Sequence, residues 1–230
     1  MSYTKVEVDK IGKIFLKRVE RILSEINKTV DISTASFHIG GNALNDPPRK
    51  TDIDIFPLDQ KNFDELALVF KPYQVAYTKN AGTYVLNGMT IQVCRYFYPD
   101  IADLVQSFDY SHIQIGAQIS ENKVKLIWWT SAYLESRIIG NTEYVGSKYP
   151  LSSIIRATKY KEYKEITKGQ MIIAIISALA DVVERGFIDY PDFKDQLDAV
   201  DLGLLPEDFE EFAGQENKLS KLFELLRKDK

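Results

Sequence analysis

Twenty residues in the first quarter of the chain bring together side chains suited to phosphate chemistry. They read Phe37-His-Ile-Gly-Gly-Asn-Ala-Leu-Asn-Asp-Pro-Pro-Arg-Lys-Thr-Asp-Ile-Asp-Ile-Phe56. A strand pattern ends in Gly40-Gly41, and a second alternating pattern carries Asp52 and Asp54. Glycines at a strand end leave no Cβ to keep a bulky anion away from backbone N–H groups. Carboxylates two residues apart on a strand point the same way and repel each other unless a cation lies between them. Magnesium takes oxygen ligands and shares its octahedron among carboxylates, water and substrate phosphates. The spacing therefore suits a metal-bound phosphate.

The flanking sequence predicts the elements that would position these residues. Val8, Ile11, Ile14, Phe15, Val19, Ile22, Leu23 and Ile26 follow a helical spacing, which predicts an amphipathic helix before the first strand. Strands are expected at Thr34–Ile39 and Thr51–Phe56, and a short helix at Phe63–Phe70. Three strands follow at Tyr73–Thr78, Thr83–Leu86 and Met89–Tyr96, with a tight hairpin turn at Asn87-Gly88. A short helix at Ile101–Ser107 precedes strands at Tyr110–Ile119 and Val124–Trp129. Beyond Ser131 the pattern is helical: Ala132–Ile139, Leu151–Ile166, Gln170–Arg185, a loose acidic stretch from Asp192 to Phe212, and Asn217–Arg227. Turn residues Gly140, Gly146 and Pro150 mark the change. The expected class is α+β, with residues 1–140 forming a mixed-sheet domain with helices on one face and residues 141–230 a helical domain closing the cleft.

The order helix, strand, Gly-Gly, Asp-x-Asp strand, then a later strand, over residues 8 to 130, resembles the polymerase-beta-like nucleotidyltransferase superfamily. The resemblance implies transfer of a nucleoside monophosphate from an NTP, ATP among the candidates, to an acceptor hydroxyl, with release of pyrophosphate. Asp52 and Asp54 would hold Mg²⁺ or Mn²⁺. The superfamily's third carboxylate is best matched by Asp109, in Ser107-Phe-Asp-Tyr-Ser-His112, which would share the second metal. Gly40, Gly41 and Asn42 would cradle phosphates, although the superfamily commonly has Ser or Thr where Asn42 stands. The run Pro150-Leu-Ser-Ser-Ile-Ile-Arg-Ala-Thr-Lys-Tyr160 resembles the superfamily's basic helix, with Arg156 and Lys159 neutralising the leaving pyrophosphate. Acceptors in the superfamily include RNA ends, DNA, protein hydroxyls and small molecules, and the basic stretch here favours an RNA end.

Composition bounds these readings. One cysteine, Cys94, and two histidines, His38 and His112, exclude a disulfide framework and a His- or Cys-based metal cluster. The 230 residues carry a net charge of −4, unevenly spread. Asp181 to Glu211 holds eleven acidic residues against Arg185 and Lys194, whereas Lys148 to Lys168 holds six basic and two acidic ones. A polyanionic ligand is thus compatible with an acidic chain. The apolar run Met171–Ala180 is too short to span a bilayer, and the charged start MSYTKVEVDK lacks a signal peptide's apolar region; the expectation is a cytoplasmic protein with no membrane partner.

Other residues are read as structural: Asp59, Asp64, Asp100 and Asp103 at turns or helix starts, His38 and His112 in the sheet, Cys94 in the core, and Trp128-Trp129 in core and interface. No Walker loop, dinucleotide fingerprint, nucleophile elbow or kinase set occurs. Two alternatives stand beside the enzyme: an inactive member of the fold that binds nucleotide or RNA, and an interaction protein using the acidic C-terminal region.

Overall fold

The computed structural model describes residues 5–45, 52–162, 165–187, 189, 191–193 and 196. The prolines 47 and 48, most of the acidic stretch and the expected helix Asn217–Arg227 lie outside the described residues. The chain divides into two compact units, residues 1–108 with 112–138, and residues 109–111 with 139–230.

The first unit is built on a seven-stranded mixed sheet, in the order β3-β4-β5-β2-β1-β6-β7. Its strands are β1 (Ser36–Gly40), β2 (Ile53–Pro57), β3 (Gln74–Tyr77), β4 (Ala81–Leu86), β5 (Met89–Cys94), β6 (Ile115–Ser120) and β7 (Lys123–Trp129). Among the described strands, only β2 and β5 pair in parallel. The connection between them runs through α2 (Gln60–Phe70) and the β3-β4 hairpin, as a parallel pair requires a crossover.

Alternation decides which side of each central strand is apolar. Phe37 and Ile39, Ile53 and Ile55, Ile91 and Val93, and Ile115, Ala117 and Ile119 are buried on one face. They form one core with Phe15, Val19, Ile22, Leu23 and Ile26 of α1 (Lys5–Asn27) and with Phe63, Leu66 and Phe70 of α2. The intervening residues, His38, Gly40, Asp54, Gln92 and Gly116, point to the opposite face. There the short helix α3 (Ile101–Gln106) covers part of the sheet, joining Ile101, Leu104 and Val105 to Phe56 and Cys94. A Cβ at Gly116 would come within 2.8 Å of Ile101 and Val105, so that glycine lets α3 approach.

Two carboxylates read as structural are helix caps. Asp59 accepts the Asn62 N–H at the start of α2, and Asp100 accepts the Ala102 N–H at the start of α3. The expected hairpin turn is present, with Asn87 at φ 50° and Gly88 at φ 78°. Two expectations fail: the strand predicted from Tyr110 begins only at Ile115, and His112 lies in a 3-10 helix over Ser111–Ile113 rather than in the sheet. Residues 109–111 belong instead to the second unit, where Tyr110 bridges Tyr144, the Ser111 N–H bonds Glu143 and the Val145 N–H bonds Asp109.

α4 (Ser131–Ile139) follows β7, and α5 (Pro150–Glu162) and α6 (Lys168–Arg185) pack together in the second unit. Thr167 and Gln170 form a reciprocal capping box that starts α6. No described helix is long and apolar enough to cross a membrane.

Candidate active site

β1 ends in Gly40, and the chain turns through a 3-10 helix over Gly41–Leu44. The two glycines do different work. Gly41 has φ +78°, a left-handed conformation that favours glycine. Gly40 is needed for room: a Cβ there would lie 2.7 Å from Phe108 Cζ. The open side of Gly40 is therefore filled by the Phe108 ring, and the turn that begins at Gly41 is left as the phosphate-facing candidate. Asn45 anchors this turn from behind. It donates to the His112 carbonyl at 2.7 Å and to Asn42 Oδ1 at 3.1 Å, and accepts from the Tyr133 hydroxyl at 3.1 Å. Arg18 of α1 holds the Leu44 carbonyl.

The sheet brings the aspartates to this turn. Asp54 pairs in antiparallel register with Gly40 and in parallel register with Gln92. Gln92 Nε2 donates to Asp52 Oδ2 at 3.0 Å, which places Asp52 beside the same face. Both aspartates are half-buried. Two residues along β5, burial and then the charge of Asp54 push the Cys94 thiol up, so Cys94 is a protonated core residue. Sequence reading missed Gln92. The signal was available, since the Asn87-Gly88 hairpin and the apolar Ile91 and Val93 assign Gln92 to the polar face of its strand.

His38 lies on this face but is fully buried. Its Nε2 pairs with the Tyr98 carbonyl at 2.9 Å, and burial lowers its pKa below 6.5 against the smaller opposing effects of that bond and of Asp100. It is a neutral sheet residue, whereas His112 is buried in the 3-10 helix Ser111–Ile113. Trp128 and Trp129 are half-buried, packed against the α3 cluster and the main core respectively.

Asp109 does not stand on the sheet. In the second unit its buried carboxylate accepts from Ser153 Oγ and from Arg156, both at 2.6 Å. The Tyr110 hydroxyl bonds the Ser153 carbonyl, and the rings of Tyr144 and Tyr160 meet Tyr110 edge-on. Asp109 and Arg156, expected to serve metal and pyrophosphate, pair with each other here, Asp109 buried and Arg156 half-buried. Lys159 is half-buried on the same helix. Among the described residues, no three His, Cys, Asp or Glu side chains come together as a metal-holding group. On the sheet, the candidate donors among the described residues are Asp52 and Asp54. Two carboxylates fit Mg²⁺, which completes its shell with water and phosphate oxygens rather than with a cage of protein ligands.

No protein-family model and no curated protein sequence matches the chain. A solved CCA-adding enzyme in complex with CTP matches in structure, with a TM-score of 0.51 at 14% identity over 81% of this chain and 48% of that one. The fold is a nucleotidyltransferase fold. Two further neighbours are a Thermotoga maritima CCA-adding enzyme complexed with tRNA (TM-score 0.47, 14% identity, 81% and 49% covered) and a tRNA-processing enzyme complex (0.46, 10%, 89% and 56%). The chain spans about half the length of these neighbours. Within the nucleotidyltransferase fold, the glycine turn and the Asp52/Asp54 pair occupy adjoining ends of β1 and β2.

Proposed function

We propose that the protein is a metal-dependent nucleotidyltransferase that moves a nucleoside monophosphate from an NTP to the terminal hydroxyl of an RNA, releasing pyrophosphate. The observation that carries this reading is the register setting Gly40 against Asp54, with Asp52 on the same side of the sheet. That register joins an anion-accepting backbone turn to a pair of metal-accepting carboxylates. The CTP complex of the CCA-adding enzyme that shares the fold supports an NTP as substrate, and the basic run Lys148 to Lys168 supports a polyanionic acceptor.

Asp52 and Asp54 would hold Mg²⁺, with Mn²⁺ as a substitute; the ion, when bound, offsets triphosphate charge and lowers the pKa of the attacking hydroxyl. Gln92 orients Asp52. The Gly41–Leu44 turn offers backbone donors to phosphate oxygens, and Asn45 keeps that turn in place. Asp109 and Arg156 hold each other in an ion pair, so a role for either in this chemistry requires that pair to open. Lys159 is retained as a phosphate-neutralising residue on sequence grounds alone.

A second reading follows because no three-carboxylate group occurs among the described residues: a member of the fold that binds NTP without turnover. One experiment separates the two. Each α-³²P-labelled NTP is incubated with protein, Mg²⁺ and total RNA. Label in RNA, lost on Asp54→Asn, establishes the transferase; NTP binding with no label in RNA, protein or small molecule establishes the binder.

A further inference from the structure

Among the described residues, Gln92 engages the carboxylate pair directly through its side chain. On the face that carries Asp54, the residue across β1 is Gly40, which has no side chain, and the residue across β5 is Gln92. A carboxylate at position 92 would stand level with Asp54 and in reach of Asp52, completing three acidic groups on two parallel strands. The position holds an amide instead. Its Nε2–H points at Asp52 Oδ2, at 3.0 Å, and so fixes the carboxylate's rotation and spreads some of its charge.

We propose that Gln92 is the positioning residue of the Asp52/Asp54 pair and makes cation binding there depend on nucleotide. With two anionic ligands among the described residues instead of three, the pair holds a divalent cation weakly alone and firmly once triphosphate oxygens add negative charge. This rests on the nucleotidyltransferase reading above. Groups that orient a metal's carboxylate ligands change affinity by roughly 10- to 100-fold when removed. An added charge beside a divalent ion acts at least as strongly at partly buried distances.

The test measures Mn²⁺ binding by electron paramagnetic resonance, with and without the α,β-methylene analogues of CTP and ATP, which cannot transfer the nucleotidyl group. Wild type, Gln92→Glu and Gln92→Leu are compared, with melting curves run on all three to verify folding. Wild type should bind Mn²⁺ weakly alone and about tenfold or more tightly with an analogue. Gln92→Glu should bind Mn²⁺ without nucleotide about tenfold more tightly than wild type. Gln92→Leu should lose about tenfold in the presence of the analogue. Wild type that binds Mn²⁺ firmly without nucleotide, or a folded Gln92→Glu that gains nothing, overturns the proposal. If neither analogue tightens weak Mn²⁺ binding in wild type, the nucleotidyltransferase reading fails. In that event a gain in Gln92→Glu still upholds the placement of Gln92 beside the pair, and no gain removes both.

Discussion

Replacing Gly40 with alanine puts a methyl group 2.7 Å from the Phe108 ring, a clash that costs about 1–3 kcal/mol. Gly40→Ala should lower the melting temperature, and Gly40→Ala combined with Phe108→Leu should recover part of the loss, because the leucine is shorter than the ring. A ligand-cradling role for the Gly40 side would instead leave melting of the ligand-free protein unchanged. Asp54→Asn should behave in the opposite way. It removes one of two repelling charges without changing shape, so ligand-free melting should hold within about 1 kcal/mol, while transfer to RNA falls by orders of magnitude. A large stability loss would assign Asp54 to structure. His38 gives a pH signature. Its folded pKa is depressed by burial, so as pH falls below 6.5 the unfolded chain binds the proton first. Stability should therefore decline on acidification from 6.5 down to the folded pKa and level off below it. His38→Gln should flatten that part of the melting profile against pH.

At the scale of elements, the segment Asp109–Ser111 is held away from the strand pattern by long-range partners. The alternating sequence from Tyr110 could continue β6 toward its N-terminus, yet residues 109–111 leave the sheet's unit and are tied to Glu143, Val145, Ser153 and Arg156. Asp109 is almost wholly enclosed, whereas the Arg156 side chain keeps 30% of its exposure. Arg156→Met should thus leave an enclosed carboxylate without its cation, at a cost of about 3 kcal/mol. Asp109→Asn in the same chain should restore part of it. Melting of the two single variants and the double variant measures this. Additive losses would mean that the pair does not act as a unit. At the other end of the same unit, Thr167→Ala removes the cap of α6 and should cost about 1 kcal/mol.

For the whole molecule, nucleotide binding to the folded chain is a linkage experiment. An NTP with Mg²⁺ at about 100 times Kd should stabilise by about 2.7 kcal/mol, read as a rise in melting temperature. Chelation with EDTA should remove the gain, since the carboxylate pair alone repels the triphosphate. No shift with any NTP at millimolar concentration would leave the chain a nucleotidyltransferase in fold only.

Local sequence determined most of the first unit. The period of α1, the alternation in β1, β2 and β5, and the positive-φ turn at Asn87-Gly88 each depend on residues close in the chain, and they are where the patterns put them. The Gly-Gly and Asp-x-Asp motifs were legible for the same reason, as was the structural role of Asp59 and Asp100, because a cap is a local hydrogen bond. Tertiary structure decided everything that depends on partners far apart in sequence. Gln92 meets Asp52 across 40 residues and Arg156 meets Asp109 across 47. No local pattern shows which carboxylate an arginine will pair with. The same holds for Gly40, where the sequence shows a missing side chain but only the fold shows Phe108 filling the space. Register and long-range burial assign those roles, because both are set by the sheet and core as a whole rather than by neighbours along the chain.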